Sequence, residues 1–505
     1  MTKQIVVTLM ALLAYSSCIS QRLVLPGDHP DPSAVQIGNT YWATATTSNW
    51  FPAFPLLRSD DMVNWNPQGF VFTKKPDWAD YYFWAPEITY ENGKVWIYYS
   101  AHKKNGNLCV GVASADKPEG PYTDLGPLIC QEVGSIDGFP MRDENGKLYL
   151  VWKEDANSVG KPTPIWASEM NEQRTALIGE KKELFRNDQP WEKNLVEGVS
   201  MVKHNGYFYA IYAAAGCCGS GCDYVVGAAR SKSLLGPWEK DPRNPAMGNK
   251  GDWMCPGHGT ALEKDGRYFF LYHAYNKYSH AYTGREGLLR EFKFDNNGWV
   301  EFVDESNNKA AQKERLVSDN FNAGSLAGSW QWSVFQDVDA NVKNGQLLLK
   351  ALPDESGAYL GQKTFSGDYE LTAKVLLGQS TALAGVAALG DDKNTVGFYG
   401  NRNSLRIVRL KDGKDSTIKI VSNKNRPVVY MKMEFRRGNI RFFTSSDGKR
   451  YEAVHTAPVD GRYLPPWDRA VRAGLISRGN RDKVAVFDDF RIRSLEPQAE
   501  ALSAR

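Results

Sequence analysis

The chain has 505 residues, which is longer than one ordinary domain, and its 42% hydrophobic and 24% charged residues describe a globular protein with a substantial core. The formal net charge of +3 is small for this length, so composition gives no argument for binding to nucleic acid or to a membrane surface. Aromatic residues make up 12% of the chain and suit both pleated strands and platforms for flat ligands.

The first twenty residues have the pattern of a targeting segment. Lys3 precedes an apolar run from Ile5 to Leu13 and then small residues, as in a secretory signal peptide too short to span a membrane. Later apolar stretches are shorter than a membrane helix needs, so we expect no transmembrane segment. We predict that residues 1–20 are a signal peptide and that the protein is exported, whether periplasmic, secreted or at the cell surface. A lipid anchor at Cys18 is the alternative to cleavage after Ser20.

The cysteines after this leader are even in number, which permits disulfides in an exported protein but leaves their pairing open: Cys109, Cys130, Cys217, Cys218, Cys222 and Cys255. The run CCGSGC (217–222), with Cys255 and His258, can also be drawn as a metal cluster. Its spacing matches no standard zinc site, so a local disulfide is favoured there.

Five related stretches follow one another from residue 29 to residue 274. They are HPDPSAVQIGNTYWATAT (29–46), APEITYENGKVWIYYSAH (85–102), IDGFPMRDENGKLYLVWK (136–153), VEGVSMVKHNGYFYAIYA (196–213) and GHGTALEKDGRYFFLYHA (257–274). Each contains a polar residue, a short strand, a tight turn with glycine and an aromatic strand, and Asn-Gly or Asp-Gly turns between alternating runs are a strong hairpin signal. A further strand follows in each unit, and no stretch has helical periodicity. Repeated units of this kind predict an all-β fold, a five-bladed β-propeller over residues 21–303.

The repeat also predicts a site. The innermost strand of each propeller blade lines the central axis, so polar residues ahead of each hairpin turn should face one shared pocket: Asp31, Glu87, Asp137, Glu197 and His258. In a cluster of carboxyl groups the pKa of some members is raised while other members stay ionised, which supplies a general acid and a general base at one pH. A calcium or buried-water site at the axis is the structural alternative. Glu87 is the weakest of these candidates, because WAPEI could use it to hydrogen-bond blade edges.

The motifs that carry these residues resemble glycoside hydrolase family 43. They are HPDPS (29–33), WAPEI (84–88), SID (135–137), VEG (196–198) and PGHG (256–259), and GREGLLREFKFDNNGW (284–299) resembles that family's closing segment. The resemblance implies Asp31 as the general base that activates water, Glu197 as the general acid, and Asp137 as the residue that tunes and orients the acid. It also implies inversion of configuration and action on pentose-containing plant polysaccharides. SIDG, EGV and GWV depart from the more usual SIDP, EGP and GWP, which puts the subfamily and the pocket shape in doubt.

Three further residues complete the predicted sugar site. Trp84 would offer a ring face to a pentose, unless it only packs within its blade. Arg285 resembles the family's pocket arginine, which contacts the sugar and the carboxylates. His258 lies where the family often places a histidine near a bound cation or water cluster, so calcium is possible there, although no cofactor is required and no acidic loop demands the ion.

The pattern changes after the propeller. The polar stretch 304–316 is predicted to be a linker, and residues 317–497 alternate as strands of a β-sandwich of jelly-roll, concanavalin-like type. This part resembles the C-terminal sandwich of many β-xylosidases of the family, where it packs on the propeller and can wall off one end of the pocket. A carbohydrate-binding module is the alternative role, and Trp330 and Trp332 could then form a sugar platform, with one of the two expected in the core.

These features together predict an inverting, exo-acting glycosidase. Its expected substrates are arabinoxylan, xylan or arabinan oligosaccharides, from which it would release terminal xylose or arabinofuranose. The sequence does not decide between β-xylosidase and α-L-arabinofuranosidase, since a few loop side chains set that preference. An endo-arabinanase with an open groove and a non-catalytic sugar-binding propeller are the remaining alternatives. Disulfide pairing and oligomeric state also stay open.

Overall fold

The computed structural model describes residues 21–303, apart from Ser220, and residues 315–495. The predicted signal peptide with Cys18, most of the predicted linker (304–314) and residues 496–505 lie outside the described residues. In the described ranges no helix is long and apolar enough to cross a membrane.

The first part of the chain forms five antiparallel sheets that follow one another in sequence, as the repeat predicted. Blade one contains Ser33–Ile37, Thr40–Thr44, Ala53–Ser59 and Asn66–Phe72. Blade two contains Ala79–Glu91, Lys94–Lys103, Leu108–Ala115 and Thr123–Ile129. Blade three contains Ser135–Arg142, Leu148–Glu154, Ile165–Glu169 and Lys182–Phe185. Blade four contains Val196–His204, Tyr207–Ala214, Val225–Ser231 and Glu239–Lys240.

Blade five closes the ring. It contains Trp253–Lys264, Arg267–Asn276 and Arg285–Phe294, with Val300–Phe302 at its edge, and Arg22–Leu25 from the start of the described chain pairs with its third strand. The first strands of successive blades contact one another in cyclic order, and that of blade five contacts that of blade one. The first strands therefore surround a common axis, and the prediction of an all-β propeller is confirmed.

Helical segments are few and short. Within residues 21–303 and 315–495 they are one α-helix, His280–Thr283, and two 3₁₀ turns, Ala156–Val159 and Pro190–Glu192.

Two packed sheets form the second part, as the jelly-roll prediction required. The larger sheet contains Leu316–Asp319, Ala340–Lys343, Gln346–Lys350, Asp368–Val375, Val429–Arg436, Asn439–Ser445, Glu452–Ala453, Val459–Asp460 and Val484–Ser494. The smaller sheet contains Ala358–Gln362, Leu383–Asp391, Asn394–Gly400, Ser404–Lys411, Lys414–Ser422 and Arg472–Arg478. Alternating apolar residues of both sheets meet in one core, and Trp330 belongs to this core rather than to an exposed sugar platform.

The sandwich joins the propeller next to blade one. Trp332–Ser333 pairs with Trp50–Phe51 as a two-stranded sheet. Deeper in the junction, Arg472 forms a buried ion pair with Asp28, with Nη1 and Oδ2 3.0 Å apart. The segment just before Arg472 thus lies against the end of the propeller where the inner strands begin.

Candidate active site

Two aspartates from different blades face one histidine at the propeller axis. Nδ1 of His258 lies 3.9 Å from Oδ1 of Asp31 and 3.9 Å from Oδ2 of Asp137. The separation of the two carboxylate oxygens therefore cannot exceed the sum of these two distances. Both aspartates have left-handed backbone angles, with φ of 48° and 59°. Such a conformation is costly for a residue other than glycine and is typical of functional sites.

Glu197 stands beside them at the start of blade four. The backbone N–H of Gly198 donates to Oδ2 of Asp137 over 2.9 Å, which places Glu197 next to that aspartate. Gly198 has φ of 61°, and a Cβ there would lie 2.7 Å from the ring of His258. Only glycine therefore permits the histidine to approach, and the three predicted carboxylates, Asp31, Asp137 and Glu197, are brought together as the repeat required.

Asp31 is surrounded by donors and a permanent cation. Arg285 Nη1 donates to Oδ1 over 3.0 Å, and the hydroxyl of Thr46 donates to Oδ2 over 2.7 Å. The backbone N–H of Asp31 donates to Nδ1 of His273 over 3.0 Å. Burial alone would raise the pKa of Asp31, but the guanidinium of Arg285 outweighs burial and holds this pKa well below its usual range. Asp31 is thus a carboxylate at any working pH, while burial lowers the pKa of His273 to about 4 and keeps that ring neutral.

Glu197 has a cation of its own, Lys153, which the repeat did not point to. Lys153 is buried, with 1% of its side chain exposed, and its Nζ lies 2.6 Å from Oε2 of Glu197 and 2.9 Å from Oδ1 of Asp155. The hydroxyl of Tyr224 donates to the other oxygen of Glu197 over 2.7 Å. A Cβ at Gly257 would lie 1.9 Å from the ring of Tyr224, so this glycine lets the tyrosine reach the glutamate.

The pKa values of the two neighbouring carboxyls move in opposite directions. Burial raises the pKa of Asp137 to about 6, with a further upward contribution from the charge of Glu197. Burial also acts to raise the pKa of Glu197, but the ammonium of Lys153 and the hydrogen bonds from Lys153 and Tyr224 outweigh it, so this pKa is lowered. Below a pH of about 6 the pair holds one proton, and that proton rests on Asp137 rather than on the residue that the resemblance makes the acid.

Glu87 has hydrogen-bond partners different from those of the three carboxylates. Its Oε2 accepts a hydrogen bond of 2.9 Å from the hydroxyl of Thr260 on blade five, and the next residue, Ile88, donates its N–H to Ser33 on blade one. Burial raises the pKa of Glu87 to about 7. The first of these bonds joins blade two to blade five and the second joins it to blade one, so this part of the strand makes hydrogen bonds between blades, the role that the sequence offered as the alternative for Glu87.

A loop of the sandwich reaches this site. Oδ2 of Asp468 accepts hydrogen bonds from the hydroxyl of Ser48 and from Nε1 of Trp84, the latter over 3.2 Å. Nη2 of Arg285 donates to the backbone carbonyl of Asp468 over 2.9 Å. Trp467, 53% exposed, meets Trp84 edge to face with ring centroids 5.8 Å apart. Trp84 and Arg285, both predicted sugar contacts, are therefore held by the second domain as well as the first.

The cysteines form three pairs: Cys109–Cys130, Cys217–Cys218 and Cys222–Cys255. Sγ of Cys217 lies 3.8 Å from Nη1 of Arg285, so the segment 217–222 borders the site. Its cysteines form disulfides, as the sequence favoured over a metal cluster. Within the described part of the chain, no group of three or more His, Cys, Asp or Glu side chains is arranged to hold a metal ion.

The five-bladed propeller with an axial group of carboxylates, joined to a second sandwich domain, defines a class of carbohydrate-active fold. Residues 20–300 match the glycosyl hydrolases family 43, and residues 318–493 match the beta xylosidase C-terminal concanavalin A-like domain. The first match covers more than half of the chain, and the protein belongs to glycosyl hydrolase family 43.

Known proteins extend this likeness. A xylan 1,3-beta-xylosidase of Vibrio sp. is 28% identical over 274 residues, which are 50% of this chain and 49% of that enzyme. A non-reducing end alpha-L-arabinofuranosidase of Bacteroides ovatus, BoGH43B, is 24% identical over 445 residues, 77% of each chain. The crystal structure of the GH43 BlXynB protein from Bacillus licheniformis superposes with a TM-score of 0.77 over 94% of this chain and 100% of that one, at 22% identity, which supports the fold. The chain spans about half the length of the Vibrio enzyme and of two other curated relatives.

Proposed function

We propose that this protein is an inverting, exo-acting glycoside hydrolase that releases terminal xylose or arabinofuranose from xylan, arabinoxylan or arabinan oligosaccharides. The observation that carries the proposal is the meeting of Asp31, Asp137 and Glu197, from three separate blades, around His258. Packing requires none of these carboxylates, and burying charged groups without a use is costly.

Asp31 is suited to activate the attacking water. Arg285 and Thr46 keep the carboxyl ionised, and His273 helps to fix its position through the backbone N–H, so Asp31 is ready to accept a proton as the water attacks the anomeric carbon. In an inverting reaction the base and the acid stand on opposite faces of the sugar, with room for that water. Blade one and blade four supply the two groups from different sides of the axis.

Glu197 is proposed to protonate the leaving oxygen. Asp137 and Glu197 hold one proton between them up to a pH of about 6, and Asp137 is the reservoir from which it reaches Glu197 when the glycosidic oxygen arrives. Lys153 opposes this transfer in the free enzyme because it stabilises the Glu197 carboxylate. The same ammonium favours the carboxylate that remains after the proton has been donated.

Exo action is supported by the loop of the sandwich. Trp467 and Asp468 contact Trp84, Ser48 and Arg285 at the edge of the site, so the second domain forms part of its wall. A walled pocket accepts one terminal sugar, whereas an endo-acting enzyme needs an open groove. The curated relatives include both a beta-xylosidase and an arabinofuranosidase by name, so the released pentose is left as either of the two.

Export is proposed on two grounds. The leader at residues 1–20 has the pattern of a signal peptide. Three cysteine pairs are also typical of an oxidising compartment rather than of the cytosol. Cleavage after Ser20 or a lipid on Cys18 are the two forms of this proposal. No step of the proposed reaction is assigned to a metal ion, and a calcium ion near His258 stays an untested prediction.

A product assay tests the function. The full chain is incubated with nitrophenyl β-xyloside, nitrophenyl α-arabinofuranoside, linear arabinan and xylo-oligosaccharides, and the first anomer released is followed by proton NMR. Single pentoses of inverted configuration are expected. Arabinan oligomers as first products would make the enzyme endo-acting, and a retained configuration would remove Asp31 from its role as base. If no glycoside is cleaved while the same polymers are bound, the non-catalytic alternative holds.

A further inference from the structure

Five aromatic side chains form a continuous series outside the carboxylate site. Phe335 meets Tyr81 with ring centroids 5.7 Å apart, Tyr81 meets Tyr82 at 4.7 Å, Tyr82 stacks on Trp84 at 4.3 Å, and Trp84 meets Trp467 at 5.8 Å. We call Phe335, Tyr81, Tyr82, Trp84 and Trp467 the aromatic strip. Blade two supplies its middle and the sandwich supplies both ends.

The backbone of blade two is distorted in a way that assembles this strip. In a regular strand, Tyr81 and Tyr82 would point to opposite faces of the sheet. Here the pairing with the next strand shifts register between Ala79 and Tyr81 and again between Tyr81 and Trp84, and Tyr82 has φ of 56°. A bulge with left-handed backbone at a tyrosine is costly, and bulges of this kind re-aim side chains next to active sites. The distortion puts three neighbouring rings of the strip in contact.

The rings are exposed but held in place. Phe335 is 59% exposed and Trp467 is 53% exposed, while Tyr81, Tyr82 and Trp84 are half-buried. His102 stacks on Tyr81 at 4.1 Å and is itself held by Asp80 at 2.9 Å. Asp468 and Ser48 fix the indole of Trp84. Exposed aromatic surface that is already rigid binds a ligand with little loss of conformational entropy.

The strip is continuous with the carboxylate site. The hydroxyl of Thr46 lies 2.7 Å from Oδ2 of Asp31 and 2.6 Å from the backbone N of Ala85, the residue after Trp84. Two bonds through one hydroxyl thus connect the proposed base to the backbone of the strip. At the other end, Phe335 closely follows the Trp332–Ser333 strand that pairs with Trp50–Phe51 of the propeller.

We propose that the aromatic strip binds the part of a glycan chain that lies beyond the terminal sugar, so that Trp84 and Trp467 contact the sugars next to the pocket and Tyr81 and Phe335 contact sugars further along. The proposal rests on the proposed function, which makes a terminal sugar the group held at the carboxylates. The occupant is a linear oligosaccharide of pentoses because aromatic faces suit the C–H faces of sugar rings. Polar groups that flank the rings, including Asp80, His102 and Asp468, can hydrogen-bond hydroxyls at the ring edges.

Binding is measured on the full chain carrying Glu197→Gln, so that cleavage during the titration is slow, and the oligosaccharides are checked for hydrolysis afterwards. Titration calorimetry with xylo- and arabino-oligosaccharides of one to six sugars reports affinity against length. Affinity is expected to rise with length in this parent. Adding Tyr81→Ala or Phe335→Ala should weaken binding of the longest oligosaccharide by about tenfold and leave binding of the single pentose unchanged. Tyr90→Ala is the matched control, because Tyr90 is an exposed tyrosine, 43% accessible, on the same strand of blade two but outside the strip.

Several results would overturn the proposal. Affinity that does not depend on length, or an equal loss in the Tyr90→Ala control, excludes a role of the strip in binding glycan. Sedimentation that shows a dimer in the parent and a monomer in the Phe335→Ala variant would assign the strip to a second copy of this chain. The failure of the proposed function looks different: pentosides would remain uncleaved by the wild-type chain while length-dependent glycan binding through Tyr81 and Phe335 persists. Thermal melting of each variant separates a lost contact from a lost fold.

Discussion

The carboxylates lie on two sides of the propeller axis, which we call the blade-one wall (Asp31) and the wall of blades three and four (Asp137 and Glu197). Each wall pairs a carboxylate with a buried cation, but the two walls differ in protonation. On the blade-one wall, Asp31 has an arginine, a hydroxyl and a neutral histidine around it. On the wall of blades three and four, Asp137 and Glu197 lie together, and Lys153 forms ion pairs with the glutamate and with Asp155. Asp31 is therefore ionised beside its arginine, whereas Asp137 and Glu197 share one proton beside a lysine that pairs with the glutamate.

The source of the cation also differs. Arg285 is held by the backbone of Asp468 in the sandwich, so the blade-one wall depends on both domains. Lys153 and its partners all belong to the propeller. A base must never be protonated at rest, whereas an acid must gain and lose its proton in each turnover, and the two environments match these two requirements.

Replacing Asp31 should have the largest effect on activity, because it removes the proposed base of the blade-one wall. In Asp31→Asn, the water loses its base and Arg285 loses its charge partner, so kcat/KM is expected to fall by about 10³- to 10⁴-fold on every pentoside, whatever its leaving group. Steady-state rates on aryl pentosides measure this. Asp60→Asn, an exposed aspartate of blade one, is the control and should keep full activity. A residual rate above about a tenth of wild type would contradict the role of Asp31 as base.

Replacing Glu197 should affect substrates unequally. Glu197→Gln removes the proton donor, so kcat/KM on natural oligosaccharides should fall by about 10²- to 10³-fold. With dinitrophenyl pentosides, whose leaving group needs no proton, the loss should be less than about tenfold. Glu263→Gln, at an exposed position on the first strand of blade five, is the control and should keep its activity on both kinds of substrate. Equal losses on both kinds of substrate would mean that Glu197 orients the substrate rather than protonating it.

Lys153 gives the sharpest test of the difference between the walls. The wild-type rate on oligosaccharides should fall as the pH rises above about 6, because the Asp137–Glu197 pair then loses its proton. In Lys153→Met the pKa of Glu197 is no longer lowered by the ammonium, so the acid stays protonated to higher pH and this descending limb should move up by about one unit. Profiles of kcat/KM from pH 4 to pH 9, measured for the wild type and for Lys153→Met, report this shift of the descending limb.

The control for Lys153 is Lys147→Met. Lys147 belongs to blade three but its side chain is 56% exposed and pairs with Glu169, so its loss should leave the limb where it is. A purely structural role of Lys153 would lower the rate at all pH values without moving the limb, and a shift to lower pH would contradict the assigned sign.

The contribution of the sandwich should be the smallest. Asp468→Ala removes the carboxyl that binds Ser48 and Trp84 but keeps the backbone carbonyl that Arg285 needs. We expect KM to rise about three- to tenfold with kcat nearly unchanged, since a net hydrogen bond contributes about 1 kcal/mol. Asp460→Ala, an exposed aspartate of the sandwich, serves as comparison. A fall in kcat comparable to that of Asp31→Asn would show that the blade-one wall cannot form without the sandwich.

Much of this architecture was predictable from the repeat. Five similar hairpins required five blades, and the polar residues at their starts had to meet at the axis, which Asp31, Asp137 and Glu197 do. The offsets of these residues from their turn glycines are unequal, and register shifts in the first strands, such as those after Ile136 and Glu197, absorb the difference. Glu87 shows the limit of the argument, because its similar position in blade two leads to hydrogen bonding between blades instead.

The residues that were missed lie at the other end of the same repeat. Thr46 and Lys153 are the last residues of their units, and His273 is the last but one of its unit. The second strand of each hairpin returns to the axis there, so a polar residue that ends an apolar strand was the available signal. Tyr224 and Asp468 carried no such signal. Both reach the site across loops whose course depends on packing that sequence periodicity does not describe.

The pairing of Arg22–Leu25 with blade five has a consequence for synthesis on the ribosome. Asp31 emerges early, but its partner Arg285 follows 254 residues later. At translation speeds of about 5 to 20 residues per second, the nascent aspartate waits about 10 to 50 seconds for its arginine. A chain that terminates before the final blade therefore contains the proposed water-activating carboxylate without its counter-ion. We expect hydrolytic activity only from chains that have been translated beyond Arg285.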